Sequence, residues 1–194
     1  PLSGSYRNAA VFVAPDLGFV PNQTTYNLLR TVDMGATWDS LYHFEERPLF
    51  LDMVNATTGF IYLQDRTVHK TIDGGSNWNL VSDGAISANA RHLIAFDETN
   101  LWLSSFPSSY LVSSDGGQNW TSAQSIEEDA YGLRTNNIHR SGDQMWIASN
   151  TASILYSADR YETKADAFPA DRETIESIQF ADEQTGFALC ERKG

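Results

Sequence analysis

A chain of 194 residues with 41% hydrophobic and 12% aromatic side chains can close a packed core, which excludes intrinsic disorder. Asp and Glu outnumber Lys and Arg by 25 to 13, a net charge of -12. No basic cluster occurs, which argues against nucleic acid or an anionic membrane as partner.

Five Trp, eight Tyr and ten Phe suit the pleated, half-buried surface of strands, and the elements recur along the chain. Residues 11–20 (V-F-V-A-P-D-L-G-F-V) read as an apolar strand, an acidic turn and a Gly-aromatic strand. Residues 31–38 (T-V-D-M-G-A-T-W) follow with the pattern Ser/Thr-x-Asp-x-Gly-x-x-Trp. The pair returns as 50–61 (F-L-D-M-V-N-A-T-T-G-F-I) with 71–78 (T-I-D-G-G-S-N-W), then as 93–103 (L-I-A-F-D-E-T-N-L-W-L) with 113–120 (S-S-D-G-G-Q-N-W). A fourth pair is 138–147 (I-H-R-S-G-D-Q-M-W-I) with 157–164 (S-A-D-R-Y-E-T-K). It keeps Ser157 and Asp159, but Tyr161 and Lys164 replace Gly and Trp, so a looser turn is expected. Residues 178–189 (I-Q-F-A-D-E-Q-T-G-F-A-L) repeat the strand pair once more. Two marks in one phase at a pitch of roughly 42 residues match one four-stranded propeller blade.

The fold class expected is all-β, a propeller of four-stranded antiparallel blades. The second unit parses into strands Leu49–Val54, Gly59–Gln64, Thr67–Thr71 and Trp78–Val81. The blades fall at about 9–48, 49–90, 91–132 and 133–171, with a partial fifth at 172–194. Helical spacing is absent apart from a short turn near 126–129. Open blades leave strand edges unpaired, so a fragment of a larger ring is expected. Closure onto the first blade and association with another copy are the alternatives.

The recurrent turn lies between the third and fourth strands. Asp33, Asp73 and Asp115 are placed to accept hydrogen bonds from backbone N–H groups ahead of them. Thr31, Thr71, Ser113 and Ser157 can do likewise, Asp159 takes the acid's place in the fourth turn, and Gly35, Gly75 and Gly117 are expected at positive φ. Trp38, Trp78 and Trp120 open the fourth strand and each bury up to about 250 Å². Copying at one phase marks a folding device rather than catalytic or metal-binding acids.

The Ser/Thr-x-Asp-x-Gly-x-x-Trp turn resembles the Asp box, or bacterial neuraminidase repeat. With the Gly-aromatic strand, as in T-G-F-I (58–61) and T-G-F-A (185–188), the chain is similar to the photosystem II stability/assembly-factor-like propellers. The resemblance covers essentially the whole chain. It implies architecture rather than one function, because sialidases, xyloglucanases, sortilin-type receptors and assembly factors share the box. It also implies that the box lies away from the ligand face.

A binding or assembly module is the favoured function, with a secreted glycoside hydrolase fragment as the alternative. A sialidase would need an arginine triad and an Arg-Ile-Pro signature; the signature is missing. Asp52, on an innermost strand, is the least generic acid and reads as a solvated channel carboxylate. His92 and His139 share an innermost-strand phase but read as ordinary histidines. No catalytic residue, metal or cofactor is assigned. The candidate binding face consists of the loops between blades and between second and third strands. These carry Arg47, Arg91, Arg134 and Arg172, one per blade boundary, with Phe106 and Tyr110 as exposed anchors. The plain alternative pairs each arginine with a nearby acid such as Glu45 or Asp171. The expected partner is a protein or carbohydrate ligand on that face. No membrane-spanning run of roughly 18 apolar residues occurs. Cys190 has no second cysteine to pair with, and an extracellular or periplasmic location is expected.

Overall fold

The computed structural model describes residues 10–83, 90–105, 109–121, 124–125, 138–148, 153–160, 165–169, 173–180 and 185–192. The chain divides into two compact units, 1–103 with 111–122, and 104–110 with 123–194. Among the described residues all regular structure is extended, in eighteen strands.

Each repeat folds into one antiparallel meander whose strands pair in chain order. The first sheet holds β1 (Val11–Phe12), β2 (Gly18–Pro21), β3 (Asn27–Thr31) and β4 (Asp39–His43). The second holds β5 (Pro48–Met53), β6 (Gly59–Leu63), β7 (Thr67–Thr71) and β8 (Asn79–Asp83). The third holds β9 (Ala90–Ala95), β10 (Leu101–Ser105), β11 (Ser109–Ser113) and β12 (Gln124–Ser125). In the second unit, β13 (Ile138–Ser141), β14 (Gln144–Ala148), β15 (Ser153–Ser157) and β16 (Ala165–Pro169) form a fourth sheet. β17 (Glu173–Phe180) and β18 (Gly186–Arg192) form a two-stranded fifth. The third-to-fourth-strand pairing slips register at the same place in three sheets, between Leu28 and Leu29, between Val68 and His69, and between Ile154 and Leu155. Such bulges increase local twist.

The apolar runs that mark the second strands of the first four sheets are largely buried on both faces, whereas Phe187 and Leu189 of β18 are exposed. Every residue of β6 is buried. Ile61 and Leu63 pack with Phe19, Leu28, Phe44, Leu51 and Met53 of the first two sheets. Phe60 and Tyr62, pointing the opposite way, pack with Leu93, Ala95, Leu101 and Leu103. Period-2 alternation thus makes one strand the centre of two cores. The fourth strands face outward: β4 and β8 are largely exposed and carry Asp39 and Asp83 at their ends, charges that discourage edge pairing. In the second unit, Trp146, Ala148, Ile175 and Ile178 make a separate buried cluster.

Polar contacts reinforce the packing between the second and third sheets. Asp52 Oδ2 accepts the Ala95 N–H at 2.9 Å, joining the two first strands. Lys70 Nζ donates to the Glu98 carbonyl at 3.0 Å and lies 5.2 Å from the centre of the Phe60 ring.

Glycines set how closely sheets approach. Gly75 has φ +85, and a Cβ there would lie 2.7 Å from Leu28 Cδ2 and 3.2 Å from Leu41 Cδ2 of the preceding sheet. Gly35 has φ +86, but the nearest atom to its Cβ would be 3.6 Å away, in its own repeat. Gly75→Ala is therefore expected to lower unfolding free energy by about 2–4 kcal/mol, combining backbone strain with overpacking. Gly35→Ala should cost only the backbone part, about 1–2 kcal/mol; urea denaturation compares the two.

Candidate functional site

Sequential antiparallel pairing gives each sheet two different ends. One end holds the turns joining first to second and third to fourth strands. The other holds the second-to-third turns and the connections between sheets.

At the first end the chemistry repeats atom for atom. The buried Thr31 hydroxyl donates to Asp33 Oδ1 at 2.7 Å and accepts the N–H groups of Asp33 (3.3 Å) and Gly35 (2.9 Å). Thr71 with Asp73 and Gly75 does the same at 2.9, 3.3 and 2.9 Å, and Ser113 with Asp115 and Gly117 at 2.9, 3.4 and 2.9 Å. Each aspartate also takes the N–H four residues on, from Thr37, Asn77 and Asn119, at 2.9 Å. Its second oxygen takes the side chain of that same residue, at 2.6, 2.7 and 2.7 Å. The indole N–H of Trp38, Trp78 and Trp120 closes the turn on the carbonyl of Gly35, Gly75 and Gly117. This keeps each tryptophan in the turn, so β4 and β8 begin one residue after it.

A further bond fastens each turn to the other turn at that end. The residue after the aspartate has positive φ: Met34 at 60, Gly74 at 70, Gly116 at 74 and Arg160 at 58. Its N–H donates to the first-to-second turn of the same sheet, at Asp16, Thr57, Thr99 and Asp143 respectively. In the fourth turn Ser157 donates to Asp159 at 2.8 Å, and Arg160 Nε bonds Asp143 Oδ1 at 2.8 Å. Tyr161 and Lys164 lie outside the described residues.

These donors hold the carboxylates ionised. The Thr37 hydroxyl and N–H bring Asp33 to about 2, below the ordinary 3.8, and the Asn119 N–H and side-chain amide bring Asp115 to about 2. Asp73 is lowered by the Asn77 side-chain amide and N–H. Folded values below the unfolded ones mean stability that is complete above about 3.8 and lost as pH falls toward about 2. Thermal melts across that window should show a falling midpoint, with a shallower fall in an Asp33→Asn, Asp115→Asn double variant. Thr71→Ala removes the acceptor of the Gly75 N–H and should cost about 1–3 kcal/mol. Thr71→Ser, which keeps the hydroxyl, should restore most of it in the same melts.

At the opposite end, Asn22 and Gln23 follow β2 and are only 3% and 4% exposed. Gln23 Oε1 accepts from Arg47 Nη2 at 3.1 Å, and Gln23 Nε2 donates to the Leu49 carbonyl at 3.3 Å. The Arg47 carbonyl accepts the Gln64 N–H at 2.9 Å. Arg47 Nε is buried and has no hydrogen-bond partner.

The structure treats the other candidate residues differently. Arg91 and His92 lie within β9 rather than in the loop before it, both half-buried. Tyr110 is the second residue of β11, opposite Gln124; it is half-buried, and burial raises its hydroxyl pKa. Phe106, Arg134 and Arg172 lie outside the described residues. Asp52 binds a backbone amide of the third sheet. Among the described residues no group of three or more His, Cys, Asp or Glu is arranged to hold a metal ion. No helix among them is long and apolar enough to cross a membrane. Sequence reasoning missed Thr37, Asn77 and Asn119; a hydrogen-bonding residue just before each Trp was the available signal. It also missed Gln23, which carries no repeat mark.

No family model matches the chain. Over 79 residues the chain is 34% identical to the photosystem II assembly lipoprotein Ycf48 of Synechococcus sp. (strain CC9902), covering 40% of this chain and 24% of that protein. The match thus spans about a quarter of the relative's length. Among solved structures, Ycf48 bound to D1 peptide is similar with a TM-score of 0.52 and 15% identity, over 94% of this chain and 89% of that one. An ancestral GH74 enzyme is similar with a TM-score of 0.66 and 13% identity, over 96% of this chain and 28% of that one. At these identities the structural likeness shows the fold, a β-propeller of small antiparallel sheets.

Proposed function

We propose that this chain is a non-catalytic propeller module that binds a protein ligand on the loop end of its sheets, and that its corner turns are Asp boxes. The observation that carries the reading is Arg47. In a chain of net charge -12, its guanidinium is held at the loop end by a neutral amide, with no ion pair among the described residues. The corner-end aspartates, by contrast, are occupied by their own turns. One end is given over to architecture and the other keeps a cation available. Arg91 and Tyr110, with Phe106, Arg134 and Arg172, are the further candidates for contact.

The partial identity to an assembly lipoprotein supports an assembly role and a location outside the cytoplasm or in a lumen. The neighbour's D1 peptide makes a peptide the ligand to try first. The GH74 likeness bears on fold alone, and a carbohydrate ligand finds no separate support.

Fluorescence anisotropy with labelled D1 peptide tests the reading. Arg47→Ala is expected to weaken binding about tenfold or more, while Met34→Ala, an exposed corner-end change, leaves it unchanged. Equal affinity for wild type and Arg47→Ala would overturn the assignment of the face. No binding by wild type would remove this peptide as the partner.

A further inference from the structure

Arg47 is held at two points. Its carbonyl is fixed by the Gln64 N–H, and its guanidinium is fixed by Gln23, itself anchored on the Leu49 carbonyl. The segment that presents Gln23 is in turn fixed by Asn22, whose Oδ1 accepts the N–H groups of Thr24 and Thr25 at 2.9 and 3.1 Å.

The pose is not the one that favours Arg47 in isolation. A buried Nε–H without an acceptor costs about 1–3 kcal/mol. An arginine kept for its packing would lay its stem on the surface and turn its head into water. Two exposed carboxylates, Glu45 and Glu46, immediately precede it, yet its side-chain partner is an amide 24 positions back. A carboxylate at position 23 would hold the guanidinium more tightly and cancel its charge. An amide oxygen orients the planar fork and leaves the charge in place.

We propose that Gln23 is the positioning residue for Arg47: a neutral acceptor that fixes the guanidinium at the loop end, so that its charge remains for a carboxylate of an acidic peptide ligand. This rests on the reading of the loop end as the binding face.

Two measurements test it. The first needs no ligand. Wild type should show a persistent, slowly exchanging Arg47 Nε–H signal by NMR, and Gln23→Met, which keeps volume but removes both hydrogen bonds, should lose it. Persistence of that signal in Gln23→Met would overturn the positioning role. The second uses labelled D1 peptide over a salt series. Gln23→Glu should weaken binding about tenfold and flatten its salt dependence, because an internal ion pair replaces one made with the ligand. Because Gln23→Glu also replaces the donor to the Leu49 carbonyl with an oxygen, its melting temperature carries both that loss and the new ion pair, and the flattened salt dependence is the readout that a merely structural role for Gln23 would not give. Wild-type affinity and salt dependence in Gln23→Glu, beside weakened binding in Arg47→Ala, would overturn the role of Gln23 and leave the binding face standing. Unchanged binding in Arg47→Ala would bring down the face itself, whatever the NMR signal shows.

Discussion

A short polar exchange inside one turn organises this protein. A buried hydroxyl and a carboxylate two residues later divide between them the N–H groups that a tight hairpin turn would otherwise leave unpaired. Thr71 serves the amides of Asp73 and Gly75, and Asp73 serves the amide of Asn77. With the turn closed, the N–H of Gly74 points at Thr57 in the neighbouring turn of the same sheet. Four strands are thereby tied at one end by two linked turns, and the absence of a Cβ at Gly75 lets the preceding sheet come into contact.

Packing between sheets depends on that corner being compact. β6 can bury side chains on both faces only because sheets close on it from either side, with Ile61 and Leu63 in one core and Phe60 and Tyr62 in the next. Trp78 links the two levels. Its indole N–H satisfies the Gly75 carbonyl, and its ring stacks edge-on at 5.6 Å from Phe44 of the sheet before. Polar groups at the corner end are thus consumed by architecture, and variation between repeats falls on the loop end, where Gln23 has no counterpart marked by the repeat. That division is the usual one between scaffold and recognition loops.

What the sequence made legible follows from which interactions need particular side chains. The Asp, Gly and Trp of the corner were visible because only those types accept two bonds from one turn, enter positive φ without strain, or cap a carbonyl with an indole. The strand limits of the second sheet were read to within two residues because its apolar runs are bounded by turn residues. Interactions with backbone groups left no mark. The Gly74-to-Thr57 and Gly116-to-Thr99 bonds use carbonyls that any residue supplies. Asp52 seemed a channel carboxylate because its partner is a backbone amide at Ala95, in another sheet. The plain alternative from sequence pairs Arg47 with a nearby acid such as Glu45; its side-chain partner is Gln23, brought close by the fold and not by the repeat.

Backbone amide hydrogen exchange at Thr37, Asn77 and Asn119 tests the central claim most directly. These residues sit in exposed turns, where amides ordinarily exchange at close to unstructured rates. If carboxylates clamp the turns, all three exchange slowly near neutral pH, and Asp33→Ala, which removes the acceptor of the Thr37 N–H, releases Thr37 while leaving Asn77 and Asn119 protected. Rapid exchange at all three in the wild-type protein would contradict the account.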